Sequence, residues 1–193
     1  MEYSTQGQTA AGRYAQLQSA RSTFDREAKE SSKLTIPSLI PESTTGTRAK
    51  IKTPFQAVGA RGVNSLASKL LFALLPPSTA FFKLSIDSLE LLKQGQEGLE
   101  TEIDKGLRTI ETALMNEIEI SNDRVAMFEA LKHLIVGGNV LLYLTDDGLK
   151  VYPLSKFVCK RDAVGNVLEI ITQESVNANA LSPEFLEQIK KKE

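Results

Sequence analysis

The sequence predicts an α+β fold, mainly a layer of several long helices with a small antiparallel sheet made of two hairpins. Three observations predict it. Apolar residues recur every three or four positions through four stretches between Arg13 and Val136. At Gly137-Gly138 that period gives way to short, β-rich runs. Two clusters of turn residues, Asp146-Asp147-Gly148 and Asp162 to Asn166, then divide those runs into pairs.

Residues 1–12 are polar and without period, and are expected as a mobile N-terminal arm. Residues 13–193 are expected as one domain. From Arg13 to about Ser32, Tyr14, Leu17, Ala20, Phe24 and Ala28 fall on one helical face. Residues 33–52 read as a linker, with Pro37 and Pro41 opposing helix and a Ser/Thr/Gly run from Ser43 to Thr47. Arg48, Lys50 and Lys52 place three cations just before the next helix.

That helix, in Thr53 to Pro77, carries the strongest signals and is expected to be the central core element. Thr53 suits the N-cap, Pro54 the first position and Gln56 the capping box. Phe55, Val58, Gly62, Leu66, Leu70 and Leu74 form the stripe expected to pack, and Val63, Ala67 and Leu71 widen it. Gly59, Ala60 and Gly62 permit close backbone approach, and Pro76-Pro77 stop the helix. At roughly 1.5 Å per residue it would span about 33 Å.

Phe81 to Ile86 alternates and reads as a short strand. A second long helix over 98–119 has Leu99, Ile103, Leu107, Ile110, Leu114 and Ile118 on one stripe, with Glu100, Glu102, Asp104, Glu111, Glu117 and Glu119 outside it. Ser121 suits the N-cap of a third helix, with Val125, Phe128, Leu131 and Ile135 as its stripe. The helical part is thus expected over 53–136 and the hairpin part over 139–176. Its strands are Asn139 to Thr145 with Leu149 to Tyr152, then Lys156 to Arg161 with Val167 to Thr172. A last helix begins near Ser182-Pro183-Glu184 and runs to Glu193 without a terminator, so 182–193 is expected as the start of a truncated helix.

Composition narrows the function. The chain is 41% apolar and 24% charged, with a single cysteine, Cys159, so no intrachain disulfide can form. That fits folding in a reducing compartment. The segment MEYSTQGQTA lacks the basic and apolar regions of a signal peptide, and the run Leu70 to Leu75 is far short of the roughly 20 residues a bilayer span needs. Charge is uneven. Residues 1–80 hold ten Lys and Arg against five acids, a balance of +5; residues 81–193 hold thirteen against nineteen, a balance of −6, and the two give the overall −1.

The motif search yields no reaction centre. No glycine-rich phosphate loop occurs, and His133, the only histidine, lacks a metal-ligand spacing around it. Its place near a helix C-terminus favours a structural role. Cys159 lies beside Lys160 and Arg161 without a histidine near in sequence, which suits an inert thiol. Aromatics do not interleave with basic residues, so sequence-specific nucleic-acid readout is not expected. The chain is expected to use no cofactor and no metal, and to have a structural or assembly role.

Three separated blocks support that role. TPFQAVGARGVNSLASKLLFALLPP from Thr53, FEALKHLIVGGNVLLYL from Phe128 and KRDAVGNVLEIIT from Lys160 resemble the head-to-tail connectors, or portal proteins, of short-tailed phages with autographivirus-like genomes. The TIPSLIP motif from Thr35 is similar to that family too. The resemblance implies a non-enzymatic subunit of a dodecameric ring at one capsid vertex, made in the host bacterial cytoplasm and carried in the virion. It implies a channel through which double-stranded DNA is packaged and ejected without sequence readout. It also implies docking of terminase and then the tail adaptor, and nucleation of procapsid assembly with scaffold and major capsid protein. Membership would place this chain in the outer wing, with stem, clip and crown absent from it. Arg48, Lys50 and Lys52 in the basic half, and Glu100, Glu102 and Asp104 in the acidic helix, are then candidates for contacts between neighbouring subunits. A helical adaptor without a channel role and a non-specific DNA-binding protein are the alternatives.

Overall fold

The computed structural model describes residues 9–41, 53–77, 79–85, 99–146 and 148–177. These form five helices: α1 (Ala10–Ala20), α2 (Ser22–Leu34), α3 (Val58–Leu74), α4 (Leu99–Ile120) and α5 (Asp123–Gly137). Two antiparallel hairpins follow, β1 (Leu141–Thr145) with β2 (Gly148–Tyr152), and β3 (Phe157–Arg161) with β4 (Val167–Thr172). The class is the expected α+β. The chain divides into two compact units, one of Ser22–Ser155 and one of the described residues up to Arg21 and from Lys156 onward. That division does not follow the expected boundary between helical and hairpin parts, because β1–β2 packs with the helices of the larger unit.

In the larger unit the centre is α5 rather than the helix within 53–77. Its sequence DRVAMFEALKHLIVG is apolar nearly all round, which requires cover on several sides. It receives α2, α3, α4 and β2, and buries Ala130, Leu131, His133, Val136 and Gly137. Of the expected stripe, Leu131 is buried while Val125, in the first turn, is exposed. Both ends of α5 are tied down. At its start the Asp123 carboxylate accepts the Leu149 N–H at 2.8 Å and the Ser121 hydroxyl at 2.9 Å, which fixes the first hairpin to the helix. Arg124 donates to the Pro76 carbonyl at 2.9 Å and so holds the end of α3. The N-cap position is Asn122, without a side-chain cap, rather than the expected Ser121, whose hydroxyl bonds Asp123.

At its other end α5 stops where Gly138 adopts φ 70°, with its N–H on the Leu134 carbonyl at 2.9 Å. The glycine pair also makes room. A Cβ at Gly137 would stand 3.2 Å from Ile40 Cδ1, and one at Gly138 3.3 Å from Phe24 Cζ. Ile40 belongs to the TIPSLIP turn, and a buried serine fastens that turn to α2. Ser32 is 0% exposed; its hydroxyl donates to the Ile36 carbonyl at 2.8 Å and accepts the Ile40 N–H at 3.1 Å. Residues expected to begin a linker are therefore part of the core up to Ile40.

The expected start of α3 moves four residues. Its N-cap is Ala57, without a side-chain cap, and Thr53, Pro54 and Gln56 precede the helix. Phe55 is fully exposed, so no hydrophobic staple draws the capping box closed. The packed face differs as well. Val63 and Ala67 are buried, and Leu70 is half-buried, whereas Val58, Gly62, Leu66 and Leu74 are exposed. Phe81 to Ser85 is not a strand, for among the described residues it has no pairing partner. The Phe81 and Phe82 rings meet edge-to-face at 5.2 Å, and the Leu84 N–H is taken by the Glu111 carboxylate of α4.

In the smaller unit, Thr9 Oγ1 caps α1 by accepting the Gly12 N–H at 3.2 Å, so the helix begins within the stretch expected as a mobile arm. Arg13 clamps the Glu169 carboxylate through Nε at 3.1 Å and Nη2 at 2.9 Å, which docks α1 on the second hairpin. The single helix expected over 13–32 is two helices broken at Arg21. There the backbone N–H turns back to the Gln18 carbonyl, while the guanidinium donates to the Phe157 carbonyl at 3.0 Å and lies over the Phe157 ring. In the β3–β4 turn Asp162 Oδ1 accepts the N–H groups of Val164 and Asn166 at 3.0 and 2.7 Å, and Gly165 takes φ 100°. The Asn166 side chain leads the hydrogen bonds that hold the Asp162 carboxyl below its ordinary pKa of 3.8.

Two glycines of α3 separate cleanly. A Cβ at Gly59 would overlap the Leu34 carbonyl oxygen and stand 3.2 Å from Thr35 Cα, both backbone atoms, whereas Gly62 has open space around it. Gly59→Ala should destabilise the chain by about 1–3 kcal/mol through this overlap. Gly62→Ala should be neutral or stabilise by up to about 1 kcal/mol through helix propensity. Thermal unfolding of the two variants side by side checks this, and a Gly59→Ala melting temperature equal to wild type would refute it.

Candidate interaction surfaces

Of the six charged positions expected to make inter-subunit contacts, Arg48, Lys50 and Lys52 lie outside the described residues. Glu100 is in α4, with its side chain outside that description, and Glu102 and Asp104 are exposed on the same helix. Glu102 and Asp104 do not form one patch. They lie two positions apart, about 200° around the helix axis, so their carboxylates leave on nearly opposite sides. Glu111, also expected on the outer acidic face, turns instead toward Leu84.

The surfaces that the structure does assemble are apolar, and the two on helices each carry a charge. On α3, Val58, Gly62, Leu66 and Lys69 follow at spacings of four, four and three, and so share one face away from buried Val63 and Ala67. On α4, Ile110, Leu114 and Glu117 follow at four and three and are all exposed, while Met115 is the buried residue of that helix. On β1, Leu142, Tyr143 and Leu144 are exposed in succession, so both faces of the strand present apolar groups. Sequence reasoning does not single out Lys69 and places Glu117 outside the α4 stripe; the signal available for both is helical spacing, three residues beyond Leu66 and Leu114. What sequence could not show is that these faces are exposed among the described residues.

Chemistry stays sparse. Among the described residues no group of three or more His, Cys, Asp and Glu could hold a metal ion. Among them, too, no helix is long and apolar enough to cross a membrane. Cys159 is a free thiol, half-buried. His133 is 5% exposed, with Nδ1 buried and without a hydrogen-bond partner, and Nε2 3.8 Å from Glu129.

Among the described residues the surface features that stand out are exposed apolar faces on α3, α4 and β1. Comparison with known proteins identifies the family. Residues 7–192 match the family described as bacteriophage head to tail connecting protein. The chain belongs to that family. Among connector-family relatives, it is 42% identical over 176 residues to the portal protein of Escherichia phage T7, covering 87% of this chain and 32% of that protein. It is 40% identical to the portal protein of Enterobacteria phage T3, over 94% of this chain and 35% of the relative. Identity to the portal protein of Enterobacteria phage SP6 is 30%, over 95% and 36%. The chain therefore spans about a third of the length of the curated relatives it matches.

For this connector-family chain, His133 gives a pH signature. Burial lowers its pKa from the ordinary 6.5 and Lys132 adds to that, while the charge and hydrogen bond of Glu129 oppose it. The unfolded chain takes up the proton as pH falls through 6.5, whereas the folded chain resists it. Stability is thus complete above about 6.5 and is lost as pH falls toward the lower, folded pKa. Between about pH 7.5 and 5.5 the melting temperature should decline, and His133→Gln should flatten that decline. Parallel profiles for the two proteins would remove His133 as its cause.

Proposed function

We propose that this chain is part of a phage portal subunit, connecting head to tail at one capsid vertex and contributing to the ring through which double-stranded DNA is packaged and ejected. The observation that carries the proposal is the family match over residues 7–192, together with 42% identity to the T7 portal protein. The arrangement of the chain is in keeping with it. Uncovered apolar helix faces suit a subunit whose partners are other subunits. The finer expectations belong to the same proposal: a dodecameric, non-enzymatic ring without cofactor, placing this chain in the outer wing. Terminase and then a tail adaptor dock on that ring, scaffold and major capsid protein assemble around it, and DNA passes without base readout.

The test is the oligomeric state of the full-length gene product that carries this chain. Negative-stain images should show closed rings with a central hole, and native mass spectrometry should give a single multiple of the subunit mass. Monodisperse monomers across micromolar concentrations would overturn the reading. DNA affinity that falls steeply with salt, in a protein that forms no ring, would favour the alternative of a non-specific DNA-binding protein.

A further inference from the structure

We infer that α3 of one copy docks against α4 of the next, with Lys69 of the first copy opposite Glu117 of the second. The inference rests on the ring reading above and names the surfaces that make its contacts. Both helices use one face within their own chain and leave another apolar face open: Val63 and Ala67 of α3 are buried while Leu66 is exposed, and Met115 of α4 is buried while Leu114 is exposed. Gly62 lies in the middle of the open face of α3 with no heavy atom within 4 Å of a Cβ placed there, so a second helix can approach the backbone closely at that point.

Charge selects the occupant. Helix α3 carries Arg61 and Lys69 and no acid, whereas α4 carries six acids against Lys105 and Arg108. On the open face of α3 the charge is Lys69, three residues beyond Leu66; on that of α4 it is Glu117, three residues beyond Leu114. Each face is an apolar strip with one charge near its end, of opposite sign to the other. Two unlike, complementary surfaces on one chain make a heterologous contact, which propagates from copy to copy, where a single self-complementary surface would stop at a dimer. A second copy of this chain supplies the matching partner for each face.

The experiment uses the full-length gene product with Lys69→Glu, Glu117→Lys and the pair together, read by native mass spectrometry at one fixed concentration. Each single change sets like charges opposite one another and should lower the ring fraction by at least about tenfold, while the double change should restore it. Rings at wild-type level in both single variants would overturn the inference, as would loss in both without rescue in the pair. A second measurement does not depend on charge. In a background with Cys159 and any further cysteine of the full-length product changed to Ser, Leu66→Cys protein mixed with Leu114→Cys protein should form a disulfide-linked pair under mild oxidation, and neither should do so alone. Cross-linking of Leu66→Cys protein to itself would mean an isologous contact and would also overturn it. Wild-type protein that forms no ring would refute the portal reading itself, whereas intact rings in the variants refute the α3–α4 contact alone.

Discussion

The larger unit depends on covering α5 on several sides at once. A helix with apolar residues on nearly every side leaves burial unrealised wherever it faces water, as it does at Val125 and Leu134. Its neighbours must come close, and the glycine pair at its end permits this. Without a Cβ at Gly137 or Gly138, the side chains of Ile40 and Phe24 reach the helix end. Ser32 helps to deliver Ile40 there by tying the TIPSLIP turn to α2. At the opposite end, Asp123 and Arg124 set the first hairpin and the end of α3. Burial along the helix and polar ties at its termini are thus one arrangement, since the ties orient the elements whose apolar faces provide the cover.

What the chain leaves uncovered follows from the same rule applied outward. Burying a Leu, Val or Phe side chain contributes about 1.5–3 kcal/mol. Helix α3 forgoes that at Val58, Leu66 and Phe72, α4 at Ile110 and Leu114, and β1 at Leu142 and Leu144. Scattered apolar residues on a surface need no explanation, but runs at helical spacing and on both faces of a strand do. Such runs have the character of surfaces that contact protein. In a family of head to tail connecting proteins, of which this chain spans about a third of the length of its curated relatives, such surfaces are the expected ones.

The elements themselves were legible because period and punctuation are local. The hairpin strands fell within two residues of their observed ends, and the Gly137-Gly138 stop is where α5 ends. What was not legible depended on long-range contacts. The apolar content of Thr53 to Pro77 signals a buried helix, yet an apolar residue does not announce whether its own chain or another will cover it. Hence Val63 and Ala67 pack within the chain while Val58 and Leu66 do not. Likewise nothing in the run from Arg13 to Ser32 marks a break at Arg21, whose hydrogen bond reaches the Phe157 carbonyl 136 residues away. Phe81 to Ser85 has the alternation of a strand, but alternation does not supply a partner; its Leu84 N–H goes to a carboxylate instead. For the candidate contacts, the acidic composition of α4 was visible, whereas the position of each acid around the axis separates Glu117, on the apolar strip, from Asp104, well away from it.

A single charge within an apolar strip also bears on how an assembly fixes its geometry. Apolar contact is non-directional, so two greasy helix faces can slide by a turn with little change in buried area. A lysine on one strip and a glutamate on the other remove that freedom. Sliding by one turn, about 5.4 Å, would strand each charge against leucine or valine and leave it both desolvated and unpaired. The pair itself adds little to affinity if its rim stays wet. Its effect lies in the penalty for every other register, the means by which a buried polar residue sets alignment in coiled coils. A ring closes only if each contact repeats the same rotation, so register matters more to it than the strength of any one contact.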